Sequence, residues 1–180
     1  IGIRNISNLK IKFDVDILFK NVNINSVKRL TKYSLLDYQN MYWPVLAGHT
    51  VYPVEVATKY KIPLIIWGAH QGTEQVGMFS HLSEVEMSRR YRHDHDLFGK
   101  ESQDLINFEN TLREEDLYNY KYPEDSLINK IGVKGIYLSN FIRWDPTAQH
   151  LKMIKKYNFR SAKLPRTFDT YEHIDCYNYM

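Results

Sequence analysis

The chain has 180 residues with 24 basic and 21 acidic side chains, a net charge of +3 and a pI near 8.8. That is enough for one domain, which at this size buries roughly 70% of its unfolded surface. Apolar residues at 43% and charged residues at 25% exclude disordered, collagen-like and low-complexity classes. The longest apolar runs, such as Ile62-Pro63-Leu64-Ile65-Ile66-Trp67, fall far short of the roughly 20 residues that span a bilayer. The first ten residues carry no signal-peptide pattern, and a lone Cys176 excludes an internal disulfide framework and fits a reducing cytoplasm. The chain opens on Ile1 and ends on Met180 just after a motif-like stretch, so residues 1–180 read as a single domain cut at both ends from something longer.

In chain order, residues 5–12 read as a helix and residues 14–19 as a strand. Asn25-Ser26 is expected to cap a helix with apolar positions at Val27, Leu30, Tyr33 and Leu36. A further helix over residues 52–60 is stopped by Pro63. Leu64-Ile65-Ile66-Trp67 follows as an unbroken apolar strand, the mark of a parallel sheet covered by helices on both faces. Ser83-Glu84-Val85-Glu86 has the form of a capping box opening a helix that runs toward His93. Thr111-Leu112-Arg113-Glu114 repeats the pattern. Residues 133–139 form the next strand, and Asp145-Pro146 caps a helix whose buried face is marked by Ala148, Leu151 and Ile154. The pattern is α/β with a helical insertion around residues 83–125.

In such sheets ligands bind beyond the carboxyl ends of the strands. Three segments hold that place: residues 21–25, 68–77 and 140–145. The loop of residues 68–77 is longer than most connections and combines small residues with His70, Gln71, Glu74 and Gln75. A carboxylate such as Glu74 can hold Mg²⁺ against nucleotide phosphates. The alternative is a polar loop bonding its own backbone. Arg143 with the helix start after Asp145 makes an anion site, or Asp145 is a cap and Trp144 a core residue. In Arg92-His93-Asp94-His95-Asp96 the histidines point apart on a helix, so no metal site is assigned. Cys176 beside His173 and Asp175 suggests a thiol nucleophile, but a small buried hydrophobe is the commoner role.

Charge is unevenly spread. Between residues 101 and 125 eight acids face two bases, whereas residues 152–166 hold six bases and no acid. Opposite solvated faces explain this, or a basic rim facing a phosphorylated ligand. The 14 tyrosines lack the spacing of a stacking platform, so nucleic acid is not an expected partner.

A resemblance runs through the chain in order. Ile62-Pro63-Leu64-Ile65-Ile66-Trp67-Gly68, Gln75-Val76-Gly77-Met78-Phe79-Ser80-His81 and Arg92-His93-Asp94-His95-Asp96-Leu97 resemble the N-acetyl sugar amidotransferases. So do Gly135-Ile136-Tyr137-Leu138, Trp144-Asp145-Pro146-Thr147 and Thr170-Tyr171-Glu172-His173-Ile174-Asp175-Cys176. The resemblance implies a PP-loop ATPase with a Rossmann-like parallel sheet flanked by helices, as in the adenine nucleotide alpha hydrolases. ATP and Mg²⁺ would be the cofactors. The acetamido group of a nucleotide-linked or related N-acetylated bacterial sugar would become acetamidino, with ammonia from a partner glutaminase, in O-antigen, lipopolysaccharide or flagellin glycan biosynthesis. No membrane partner is implied. The family's Ser-Gly-Gly-x-Asp-Ser phosphate loop and its metal-binding cysteine pair are not found in the 180 residues and would lie before Ile1. On this reading Gly68, His70, Gln71 and Glu74 face the nucleotide, with His70 and Glu74 catalytic. Arg143, Asp145, Arg166, Thr170 and Tyr171 face the sugar. The competing expectations are a PP-loop RNA-modifying enzyme and a binding module that has lost its ATP site.

Overall fold

The computed structural model describes residues 2–68, 85–105 and 112–161. They fall into two compact units. The larger is Lys20–Ile142, and the smaller is built from residues 2–19 and 143–161. Elements are mixed helix and strand, and among the described residues the only sheet has two parallel strands.

In the larger unit, α2 (Ile24–Tyr38) starts two residues earlier than Asn25-Ser26 suggested. Asn23 is the cap, its side chain accepting from the Asn25 N–H at 2.9 Å. Leu30 and Ser34 are buried while Leu36 is 66% exposed, so the inward face turns away from Leu36. The next helix, α3 (Trp43–Tyr60), is twice the length expected for residues 52–60. Pro53 lies inside it, and a proline there lacks one donor and discourages a helical reading. The helix holds because its apolar stripe Trp43, Ala47, Val51 and Val54 is wholly buried. The Trp43 indole N–H also donates to the carbonyls of Leu97 and Lys100 at 3.1 and 3.2 Å.

β1 (Leu64–Trp67) pairs in parallel with β2 (Lys134–Tyr137), in register from Leu64 opposite Lys134 to Trp67 opposite Tyr137. The parallel pairing expected from the apolar run is therefore present. The two-sided cover is not seen among the described residues: Ile65 and Trp67 pack on the core, whereas Leu64 and Ile66 are 47% and 57% exposed. On the other edge of β2, Glu86 forms an antiparallel bridge with Ile136, and the Met87 N–H donates to the Gly135 carbonyl at 2.8 Å. That pairing leaves Glu86 extended along a strand, where the capping box read at residues 83–86 expected a helical residue, while Ser83 and Glu84 lie outside the described residues. The helix starts three residues later at α4 (Arg89–Tyr91), with the Ser88 hydroxyl accepting from the Tyr91 N–H. Met87 and β1 press so closely on β2 that a Cβ on Gly135 would lie 2.7 Å from Met87 Cβ and from Trp67 Nε1.

The expected helical insertion is a string of short turns. After α4 comes a π-helical turn, Arg92–Asp96, closed by the Leu97 N–H on the Arg92 carbonyl at 3.2 Å. A 3₁₀ turn, Ser102–Leu105, follows. Then α5 (Glu114–Leu117) begins after Arg113, so the box read at residues 111–114 sits too early. Asp116 is the acid that reaches back, accepting from the Arg113 N–H at 3.2 Å. α6 (Asp125–Ile131) ends at Gly132 with φ 75°, the left-handed conformation glycine adopts without cost. Two apolar clusters fill this unit. One gathers Leu30, Trp43, Ala47, Val51, Leu97, Leu105 and Tyr120, and the other Val54, Ala57, Met87, Tyr91, Ile128 and Tyr137.

The smaller unit holds α1 (Gly2–Phe13) and α7 (Pro146–Tyr157). The strand expected over residues 14–19 is absent: α1 closes on Asp14 at φ 50°, and irregular backbone follows with Val15, Leu18 and Phe19 exposed. A strand needs a neighbour for its backbone groups, and no ladder reaches this segment among the described residues. Asp145 caps α7 as expected, accepting from the Ala148 N–H at 2.9 Å. The face marked by Ala148, Leu151 and Ile154 is the exposed one. His150 is buried, Met153 and Tyr157 are half-buried, and the Phe13 and Tyr157 rings meet at 4.7 Å. Asn5 ties the two helices, donating to the Arg160 carbonyl and accepting from the Arg160 N–H, both at 2.9 Å.

Candidate functional site

Parallel, in-register pairing brings the carboxyl ends of β1 and β2 to one level. Gly68 leaves β1 there, and a 3₁₀ turn, Leu138–Asn140, leaves β2. The last side chains of the strands, Trp67 and Tyr137, stack with ring centroids 6.2 Å apart and planes inclined by 18°. A Cβ placed on Gly68 would meet no described residue within 4 Å, and the loop that follows Gly68 lies outside the described residues. His70, Gln71 and Glu74 lie outside the described residues, as do Arg166, Thr170, Tyr171 and Cys176. Arg143 and Asp145 are exposed residues of the smaller unit, and the Asp145 carboxylate is engaged in capping α7. Of the residues expected to touch a nucleotide, Gly68 alone is described; it belongs to the larger unit, with Arg143 and Asp145 in the other.

The larger unit also assembles a polar cluster that sequence reasoning missed. The π-helical turn buries Arg92 and Asp96, which are 5% and 2% exposed. The Tyr122 phenol donates to Asp96 Oδ2 at 2.9 Å, while Asp96 Oδ1 has no hydrogen-bond partner among the described residues. Burial pushes the Asp96 carboxyl up to about 7, with the Tyr122 hydrogen bond and the Arg92 charge pulling the other way. Burial likewise raises Tyr122 and Tyr137. His95 packs against Tyr91 with ring centroids 4.4 Å apart, and burial lowers its pKa. His93 instead bonds Asp94 at 2.8 Å. The two histidines singled out in the sequence thus serve different neighbours. Among the described residues no group of three or more His, Cys, Asp or Glu is placed to hold a metal ion.

Arg92 faces outward as well as inward. Its Nη2 meets Asp125 Oδ1 at 2.5 Å, and its guanidinium lies 5.5 Å from the centre of the Tyr122 ring. Arg89 holds the other oxygen of Asp125 at 2.6 Å and reaches Glu101 at 3.0 Å. These three side chains form a common wall between two clefts. One, of about 300 Å³, is bounded by Glu86, Ser88, Asn129 and Lys134. The other, of about 250 Å³, is more polar and bounded by Gln103, Lys121, Tyr122 and Glu124. The spacing of Arg92 and Asp96, one helical turn apart on one face, was the sequence signal.

No helix among the described residues is long and apolar enough to cross a membrane. No protein-family model matches the chain, and no curated protein matches it.

Proposed function

We propose that the chain carries the nucleotide-binding core of an ATP-dependent amidotransferase that acts on the acetamido group of an N-acetylated bacterial sugar. The observation that supports this reading is the parallel pairing of β1 and β2, whose carboxyl ends release Gly68 and the turn Leu138–Asn140 side by side. The fold class that goes with it is a Rossmann-like sheet of the PP-loop type. The lack of any described residue within 4 Å of a Cβ at Gly68 fits a phosphate chain drawn close to backbone. ATP would supply activation of the acetamido oxygen ahead of attack by ammonia from a glutaminase partner. Within this chain, Gly68 makes room, Glu74 would hold Mg²⁺, and His70 and Gln71 would contact the nucleotide. Arg143, Asp145, Arg166, Thr170 and Tyr171 are the residues proposed for the sugar.

Calorimetry with Mg·ATP, followed by pyrophosphate release with ammonium and a panel of nucleotide-linked N-acetyl sugars, tests the reading. The expected outcome is sugar-dependent release. Release with none of the sugars counts against it. Gly68→Val is the informative variant, because no described residue within 4 Å obstructs a side chain there. It should therefore leave the fold intact and weaken ATP binding by at least tenfold, about 1.4 kcal/mol. A second reading, an RNA-modifying enzyme of the same fold, is favoured by the exposed Lys152, Lys155 and Lys156 on α7. It requires RNA binding that weakens steeply with salt.

A further inference from the structure

Arg92 stands between two carboxylates. Toward the surface it is bound to Asp125, which Arg89 also holds. Toward the interior lies Asp96, one turn along the same segment, with Oδ1 buried and without a partner among the described residues. We propose that Arg92 is a two-position latch, bound to Asp125 while Asp96 carries a proton and drawn to Asp96 when that proton leaves.

Among the described residues, the groups around Asp96 support these two states. From its own turn it faces Arg92, the cation that acts on it. From the segment before α6 it receives the Tyr122 phenol, itself bonded to Thr50 of α3. From β2 it feels Tyr137, and Tyr137 in turn bonds Tyr91 of α4. The tyrosines are held neutral by burial, and His95 beside them is also disfavoured as a cation. A charged Asp96 therefore has Arg92 as the cation to turn to, because a buried carboxylate without a partner is costly. Asp125, 44% exposed, can keep Arg89 and take water in place of Arg92. Since Arg92 and Asp125 both line the wall dividing the two clefts, the latch links the protonation of one buried acid to the form of that wall. Burial that raises Asp96 to about 7 puts the transition near neutral pH.

The experiment is a carbon and amide NMR titration of the full chain between pH 5 and 9, with ¹³C-labelled aspartate. In the wild type the Asp96 carboxyl carbon is expected to titrate near neutral pH, and the Asp125 and Ile128 amides should follow the same midpoint. Asp125→Asn, a change at a half-exposed position, frees Arg92 to serve Asp96 and should lower the Asp96 midpoint by about one pH unit, a tenfold change in proton affinity. Asp96→Asn should abolish the matching transition at Asp125. An Asp96 midpoint near 4, Asp125 amides that ignore the titration, or a midpoint unmoved by Asp125→Asn would each overturn the latch. The wild type and Asp125→Asn suffice if Asp96→Asn does not fold.

Discussion

Asp116 and Asp96 are both shut off from water in the larger unit, at 1% and 2% exposure, yet their carboxyls shift in opposite directions. Asp116 meets a fork. Arg29 donates from Nε at 3.2 Å and from Nη2 at 2.5 Å, and the Ser26 hydroxyl and the Arg113 N–H complete the set. Arg29, first among these, holds the carboxyl down to about 2. Asp96 receives a single phenol, and its cation is engaged elsewhere, so desolvation wins and the carboxyl rises to about 7. Loss of solvent contact alone does not set the charge of an acid: Asp96 lies deeper than Asp116 and has fewer donors. Depth and the number of donors aimed at the carboxyl set it together.

The sharpest way to break this contrast is a stability profile against pH. Between about pH 4 and 7 folded Asp96 keeps a proton that the unfolded chain has shed, so its contribution is present below pH 4 and lost as pH rises toward 7. The window spans about three pH units, on the order of 4 kcal/mol. Urea midpoints of Asp96→Asn should lack that fall, and an unchanged slope would show the contrast to be wrong. Asp116 works in the other direction. Its contribution is present above pH 4 and lost as pH drops from about 4 toward 2. Asp116→Asn should cost about 2 kcal/mol at pH 7 and flatten the acid limb of the same profile.

Two further substitutions ask whether the region around Asp96 is as tightly built as the region around Asp116. Gly135→Ala should cost about 2 kcal/mol in the urea midpoint, because the new methyl meets Met87 and Trp67 at 2.7 Å. Trp43→Phe should cost about 1 kcal/mol, since it keeps the ring in the first cluster but deprives the carbonyls of Leu97 and Lys100 of their donor. The ranking matters more than each value. A larger loss from Trp43→Phe than from Gly135→Ala would move the critical packing from the strands to α3.

What could be read in the sequence was whatever neighbours in the chain decide. The Asp145-Pro146 cap is local chemistry, and it holds α7 as anticipated. The unbroken run Leu64-Ile65-Ile66-Trp67 is a strand in a parallel pair. What failed depends on partners far along the chain. Residues 14–19 have a strand-like pattern and no ladder to join. Pro53 argues against a helix that buried Trp43, Ala47 and Val51 sustain. Leu151 and Ile154 have helical spacing, but it is His150 that is buried. The Asp96 cluster was hidden for the same reason, since Tyr122 and Asp125 reach it across 26 and 33 residues of sequence.

The π-helical turn at Arg92–Asp96 closes on the fifth residue where an α-helix would close on the fourth. It therefore carries one residue of slack. Removing a single residue between Arg92 and Asp96 would let the segment close as an ordinary α turn, with the chain after it kept in phase. Arg92 and Asp96 would then stand three residues apart, still on one side of the helix but across a tighter turn. A one-codon deletion would thus change the spacing of the two groups without altering either, which a scan of substitutions alone would never reveal.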